Sequence, residues 1–455
     1  MNPLIFREYD IRGIVGKDIT EETVYTLGRT FGTYARKKGK QILSVGHDNR
    51  LSSPSLKEAL IKGMIGTGCN VWDLGLVPTP LFYFSLHHLK DVEGGMMITG
   101  SHNPPEFNGF KMNIGIETLY GEQIQDLRRL AESGDFIKGD TGEVKTYDII
   151  PPYKAMIKER IDISRPVHTV VDAGNGTSSI VAPDLLEELG CKVERLYCES
   201  DGRFPNHHPD PTVEAYIQDL IKTVKEGEFE CGVAYDGDAD RIGVVDEKGK
   251  ILWGDQLMIL FSRSILSERK GGTVIFDVKC SQTLEEDVRA HGGNPIMWRT
   301  GHSLIKKKMR EENAALAGEM SGHLFFADRY FGYDDAIYAS CRLMEIVSKS
   351  KIPLSQILSD VPKTFTTPEI RIECTDEDKF RVVEEIKSMY EKTHKVIGID
   401  GARILFNRGW GLVRASNTQP VLVLRFEAFE EESLDQIRDE VMGSLKGFPS
   451  VKLPG

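Results

Sequence analysis

What this sequence lacks narrows its class before any motif is read. No run approaches the eighteen apolar residues of a membrane span. A secretory leader is not expected either, since Arg7 and Glu8 bring charge into the N-terminus before an apolar stretch can form. Positive charge is in deficit: 57 Lys and Arg stand against 69 Asp and Glu, and the formal net charge of -12 opposes condensation on nucleic acid or an anionic membrane. A small phosphorylated substrate stays possible, because a local basic pocket outweighs distant, screened charge. Cysteine is scattered and odd in number: Cys69, Cys191, Cys198, Cys231, Cys280, Cys341 and Cys374 form no Cys-x-x-Cys pair and have no His at zinc-finger spacing. They read as reduced thiols of a cytoplasmic protein.

What is present suggests several domains, since 455 residues with 40% apolar content exceed one compact core. Short apolar runs alternate with helical patterns through the first three quarters, the signature of α/β domains. Thr20 can cap a helix with Glu21 and Glu22 in its first turn and Val24, Leu27, Phe31 and Tyr34 on one face. Ser53 is the candidate cap of a second, carrying Leu56, Leu60, Ile61 and Met64. The last quarter is β-rich, with Asn407 to Gly411 as a turn, and reads as a smaller α+β domain. The boundaries expected are 1–145, 146–247, 248–361 and 362–455.

Several strand-like runs end in polar, Gly-bearing loops, where open α/β sheets bind ligands. Asp236-Gly237-Asp238-Ala239-Asp240-Arg241 is the sharpest signal. Three carboxylates at alternate positions converge only with a cation, and a hard ion such as Mg2+ suits oxygen ligands. A solvated acidic turn is the plain alternative. A calcium loop fails because Arg241 stands where that loop requires Gly. Thr99-Gly100-Ser101-His102-Asn103-Pro104 offers a hydroxyl beside an imidazole, although a serine in such a loop is commonly a turn residue. Lys111 follows, able to neutralise a phosphoryl oxygen or simply to sit at the surface.

Gly318-Glu319-Met320-Ser321-Gly322-His323 offers partners for vicinal sugar hydroxyls, and His302 precedes a basic helix start. Arg414-Ala415-Ser416-Asn417-Thr418 joins two strands through hydroxyls and backbone N–H groups, with Arg425 on the next strand. Such a loop can cradle a phosphate dianion, and a plain polar hairpin is the alternative.

These motifs, in this order and from Phe6-Arg7-Glu8-Tyr9-Asp10-Ile11-Arg12-Gly13 onward, resemble the α-D-phosphohexomutase superfamily in its bacterial phosphomannomutase/phosphoglucomutase branch. The resemblance implies three related α/β domains with mixed sheets and a fourth, α+β domain around a central cleft. It implies reversible transfer of a phosphoryl group between the 1- and 6-hydroxyls of glucose or mannose, through a phosphoserine and a hexose 1,6-bisphosphate. Ser101 resembles the phosphoserine, and Asp236, Asp238 and Asp240 resemble Mg2+ ligands completed by Ser101. Arg12, His102, Lys111 and Arg241 resemble residues that neutralise the phosphoryl group or move a proton. Glu319, Ser321 and His323 fall to the sugar, Arg414, Ser416, Asn417, Thr418 and Arg425 to the distal phosphate, and Lys279, His302 and Tyr9 to accessory contacts.

Ala239 stands where many relatives have Gly, which bears on a positive φ at that position. The alternatives are a phosphoglucosamine mutase, a serine-based phosphatase and a non-catalytic sugar-phosphate sensor. Met320 favours the glucose and mannose branch over the glucosamine one. Monomer and dimer both stay open.

Overall fold

The computed structural model describes residues 1–417 and 419–453. Thr20 starts the first long helix, Glu21–Lys37, its Oγ1 accepting the Thr23 N–H at 3.2 Å while Val24, Leu27, Phe31 and Tyr34 are buried. The helix Ser53–Ile65 buries Leu56, Leu60, Ile61 and Met64, but Ser53 is not its cap. Ser53 lies inside the first turn, where its Oγ donates to Asp48 Oδ1 at 2.5 Å.

The first three units repeat one pattern. In the first, Ile42–His47, Asn70–Leu76 and Gly94–Ile98 run parallel, and Phe107–Ile114 returns antiparallel beside the third. His168–Asp172, Lys192–Leu196, Cys231–Tyr235 and Ile242–Asp246 do the same in the second. Thr273–Asp277, Asn294–Trp298, Leu316–Gly318 and Leu324–Phe326 do so in the third. In each sheet the spatial order of these four strands is fourth, third, first, second. The repeat is one of topology, without a fixed period in the sequence.

Two positions therefore recur at the carboxyl ends of the parallel strands. The first strand of each set ends on Asp172 or Asp277, or in the first unit one residue before Asp48, and the hairpin after the third strand carries Ser101, Asp236 to Asp240, or Glu319 to His323. The largest apolar cluster runs from Phe82 and Tyr153 through Val233 to Phe276 and Phe326. A core shared in this way fixes the three hairpins relative to one another.

The fourth unit is an antiparallel sheet in which Ala402–Phe406, Gly409–Ala415, Val421–Ala428 and Ile370–Cys374 are neighbours, packed on the helices Lys379–Tyr390 and Glu431–Leu445. The turn between its first two strands is Asn407 and Arg408 alone. Trp410, read from sequence as part of that turn, is fully buried in the strand, because an indole of that size fills the gap between sheet and third unit beside Val278.

Candidate active site

Ser101 sits at the tip of its hairpin with φ +48, a left-handed backbone that directs its side chain to the second unit. Its Oγ donates to Asp236 Oδ2 at 2.9 Å and lies 3.1 Å from His102 Nδ1. The two hairpins touch: a side chain at Gly237 would meet the Ser101 carbonyl at 2.4 Å. His102 is half-buried, and desolvation together with the Arg241 and Arg12 guanidiniums pushes its pKa well below the usual range, so the imidazole is neutral beside the hydroxyl. Arg12 Nη1 donates to Asn103 Oδ1 at 2.5 Å and Nη2 to Asp10 Oδ2 at 2.6 Å, which sets its guanidinium against the serine loop.

Asp236, Asp238 and Asp240 are all buried and offer oxygens within 4.8 Å of one another. Only Asp236 uses both of its oxygens; Asp238 and Asp240 each take their hydrogen bonds on Oδ2 alone. Asp238 Oδ2 accepts from Thr79 Oγ1 at 2.6 Å, Thr99 Oγ1 at 3.0 Å and Lys111 Nζ at 2.8 Å, and Lys111 also donates to Asp240 Oδ2. Asp236 Oδ1 takes the backbone N–H groups of Asp240 at 3.0 Å and Arg241 at 3.1 Å. Asp238 Oδ1 and Asp240 Oδ1 are left buried without a partner. A cation answers those two orphaned oxygens, and an all-oxygen donor set suits a hard divalent one. Burial raises the Asp236 pKa well above the ordinary carboxylate range, with Asp240 and Asp238 adding to it. Burial opposes the Lys111 ammonium, but Asp238 and Asp240 outweigh it and hold its pKa well above the usual lysine value.

Ala239, in the middle of this loop, has φ +62, so the alanine takes the left-handed conformation that a glycine would adopt freely.

Asp240, His323 and Asp334 form a second close group. It already contains its cation, since Lys306 Nζ donates to Asp334 Oδ1 at 3.2 Å. His323 Nδ1 lies 3.1 Å from Asp334 Oδ2, and its Nε2 accepts from Arg241 Nε at 2.9 Å. His302 stacks on His323 at 5.9 Å between ring centroids and meets Tyr9 edge-on. Burial and the Lys306 ammonium push the His302 pKa well down.

Glu319 accepts from Gly301 N–H at 2.8 Å and from Ser321 Oγ at 2.9 Å, so the two sugar candidates are joined. The Tyr9 hydroxyl donates to the Thr300 carbonyl at 3.1 Å and accepts from Asn417 Nδ2 at 2.7 Å. Arg414 Nε donates to Asp400 Oδ2 at 3.0 Å, and that oxygen also takes the Thr300 N–H. Ser416 lies at the start of the same hairpin and Oγ accepts the Gln419 N–H at 3.2 Å. Thr418 lies outside the described residues. Lys279 Nζ donates to Glu369 Oε2 at 3.2 Å. Arg425 lies away from that hairpin loop, one pleat further along the same face, where Nη2 is 3.6 Å from Asp255 under the Lys279 segment.

Sequence reasoning missed Asp48, Arg50, Thr79, Asp277, Asp334 and Asp400. For Asp48 and Asp277 a signal existed, an acidic residue at the end of the first strand of each set. The others are single polar residues with no motif around them, and Thr79 meets its partner Asp238 only across 159 positions.

The chain matches four family descriptions in order: phosphoglucomutase/phosphomannomutase alpha/beta/alpha domain I over residues 3–137, domain II over 151–249, domain III over 253–365, and the C-terminal domain over 369–444. It is 47% identical over 447 residues to a phosphomannomutase/phosphoglucomutase of Pseudomonas aeruginosa, covering 98% of this chain and 96% of that one. It is 44% identical over 455 residues to a phosphoglucomutase of Neisseria gonorrhoeae, covering 99% and 98%. Among solved structures, a phosphoglucomutase/phosphomannomutase family protein from Burkholderia thailandensis superposes with a TM-score of 0.94 at 40% identity, over 99% of both chains.

Proposed function

Because this chain belongs to the phosphoglucomutase/phosphomannomutase family, we propose that it interconverts the 1- and 6-phosphates of glucose and mannose with Ser101 as phosphoryl carrier. The observation that carries the reading is the Ser101 hydroxyl bonded at 2.9 Å to Asp236, inside a buried carboxylate triad that Lys111 only partly neutralises. Phosphoryl transfer needs in-line placement and charge neutralisation more than covalent chemistry by the protein.

In the forward direction the Oγ–P bond of phosphorylated Ser101 breaks as a bond forms to the free 6-hydroxyl of a hexose 1-phosphate. The hydroxyl proton passes through a base to the freed Ser101 Oγ, giving a hexose 1,6-bisphosphate. That intermediate turns end for end, its O1–P bond breaks as Ser101 Oγ takes back the 1-phosphoryl group, and the serine proton returns to O1 as the 6-phosphate is released. Lys111, Arg12 and Arg241 surround the transferring group, and neutral His102 is suited to hold a proton beside Oγ. Glu319, Ser321 and His323 would take sugar hydroxyls. Arg414, Ser416, Asn417 and Thr418, with Lys279 and His302, would hold the other phosphate in either orientation. Asp236, Asp238, Asp240 and Ser101 would hold Mg2+, which would supply further charge neutralisation there. The four units would run close to the expected 1–145, 146–247, 248–361 and 362–455, with two corrections: Val144–Thr146 pairs within the first sheet and Ile251–Leu252 within the second, so the first two boundaries fall after those strands. Seven free thiols suit a reducing cytoplasm, and no helix among the described residues is long and apolar enough to cross a membrane.

A coupled assay tests this, following conversion of glucose 1-phosphate and mannose 1-phosphate with Mg2+ and a trace of glucose 1,6-bisphosphate, beside Ser101→Ala. Activity on both sugars that falls to background in the variant supports the reading. A folded Ser101→Ala protein at full activity refutes the carrier.

A further inference from the structure

Arg50 is among the most buried side chains of the protein, 1% exposed, yet it touches no carboxylate of the metal loop and no side chain assigned to the sugar or its phosphates. Each of its five N–H groups has an acceptor. Nε donates to Asp48 Oδ2 at 3.2 Å, Nη1 to the carbonyls of Pro104 at 2.6 Å and Phe107 at 3.0 Å, and Nη2 to those of Ser101 at 2.9 Å and Asn103 at 2.5 Å. Asp48 completes the arrangement. Its Oδ2 also accepts the Gly100 N–H at 2.9 Å, and its Oδ1 takes the Arg50 N–H at 3.1 Å and the Ser53 hydroxyl. The backbone of the serine hairpin is thus held at residues 100, 101, 103, 104 and 107 by two side chains from the neighbouring strand end.

The fit is close. A side chain at Gly100 would meet Arg50 Nε at 2.2 Å, so only glycine lets the loop lie against the guanidinium. What is held there needs holding, because Ser101 at φ +48 occupies a region that L-residues avoid at a cost of about 1–2 kcal/mol. The next link is Asn103, whose carbonyl accepts from Arg50 and whose Oδ1 accepts from Arg12. The Phe204 ring from the second unit covers the guanidinium, 5.3 Å from its centre.

We propose that Arg50, braced by Asp48, is a positioning residue for phosphoryl transfer: its fork of donors fixes the strained backbone that aims Ser101 Oγ and, through Asn103, the Arg12 guanidinium. The proposal rests on Ser101 being the phosphoryl carrier. Lysine keeps the charge but cannot span these acceptors, since it offers one ammonium in place of a planar fork. A displacement near 1 Å at the reacting atom costs on the order of 10²-fold in rate. The fourth unit, which carries the distal phosphate loop, does not touch Arg50, so ground-state binding is left nearly intact.

The test compares wild type, Arg50→Lys, Asp48→Asn and Ser101→Ala, with steady-state kinetics on glucose 1-phosphate and Mn2+ affinity by titration. Single-turnover phosphorylation of Ser101 by glucose 1,6-bisphosphate is read by intact mass. The expected result for Arg50→Lys is a fall in kcat and in the Ser101 phosphorylation rate on the order of 10²-fold, with KM and Mn2+ affinity changed less than about threefold. Asp48→Asn, which keeps the shape but puts an NH2 donor in place of one accepting oxygen, gives the same pattern at about tenfold and stands in if the lysine variant does not fold. Folded variants that phosphorylate Ser101 at the wild-type rate overturn the proposal, as does a loss confined to KM or to Mn2+ affinity. An active Ser101→Ala protein would instead overturn the carrier reading beneath it.

Discussion

The Asn417 amide donates to the Tyr9 phenol at 2.7 Å across 408 positions of sequence, and the same phenol donates to the Thr300 carbonyl. One hydroxyl thereby ties the first unit, the third and the hairpin that carries Arg414 and Asn417 together. Tyr9→Phe deletes both bonds and leaves the ring against His302. Each bond is worth roughly 0.5–1.5 kcal/mol, so KM for glucose 1-phosphate should rise about tenfold with kcat within about a factor of three. A change confined to kcat would contradict this role for the contact.

Lys111 is the buried counter-ion of Asp238 and Asp240. Lys111→Met leaves those carboxylates crowded in a dry site. Urea unfolding in chelator should show a loss of about 3–5 kcal/mol, and added Mg2+ should return part of it while isomerisation stays abolished. Equal losses with and without Mg2+ would mean that the lysine and a cation do not share the neutralisation.

At Ala239 the backbone φ of +62 sets strain against a buried methyl. Ala239→Gly relieves about 1 kcal/mol of strain and gives up about 0.8 kcal/mol of burial, so unfolding midpoints should coincide within error. Ala239→Val adds branching to a left-handed residue and should destabilise by about 2–4 kcal/mol. A stable valine variant would show that the loop adopts another backbone.

Asp335 caps the helix Ala336–Lys349 through the Tyr338 N–H and accepts the Tyr153 and Tyr330 hydroxyls. Burial raises its pKa to about 6. The folded protein holds this proton more tightly than the unfolded chain does, so the group's stabilisation is complete below about pH 4 and is lost as pH rises through about 6. Asp335→Asn does not titrate. Its stability relative to wild type should improve by roughly 2–3 kcal/mol between pH 4 and 7, measured by urea unfolding at each pH. Parallel curves would refute the shift.

The carboxylate loop and the serine hairpin were legible as candidates because their residues are contiguous: Asp236 to Arg241 and Thr99 to Pro104 each follow an apolar strand. Thr79 and Asp334 were not legible. Thr79 acts on Asp238 across 159 positions, and a lone threonine at a helix start carries no mark of that task. Ser53 illustrates a local rule losing to a tertiary one, since its hydroxyl serves Asp48 rather than its own helix. Arg425 shows the limit of reading along a strand: one pleat beyond Arg414 the face turns from the phosphate hairpin to Asp255. The related topology of the first three units was expected from the family resemblance and not from any recurring string of residues, because strand order is fixed by which apolar faces pack.

On the proposed reading the three topologically equivalent hairpins divide labour: one would carry the transferring group, one the cation and one the sugar contacts. Each is supported by its own sheet and its own acidic strand end. Residue changes within the Glu319 to His323 hairpin can therefore redirect which hydroxyls are recognised while the serine and carboxylate hairpins keep their frame. Substrate range and transfer chemistry are inherited on separate pieces of backbone, so a single scaffold can diversify toward new hexoses without rebuilding the step that moves phosphorus.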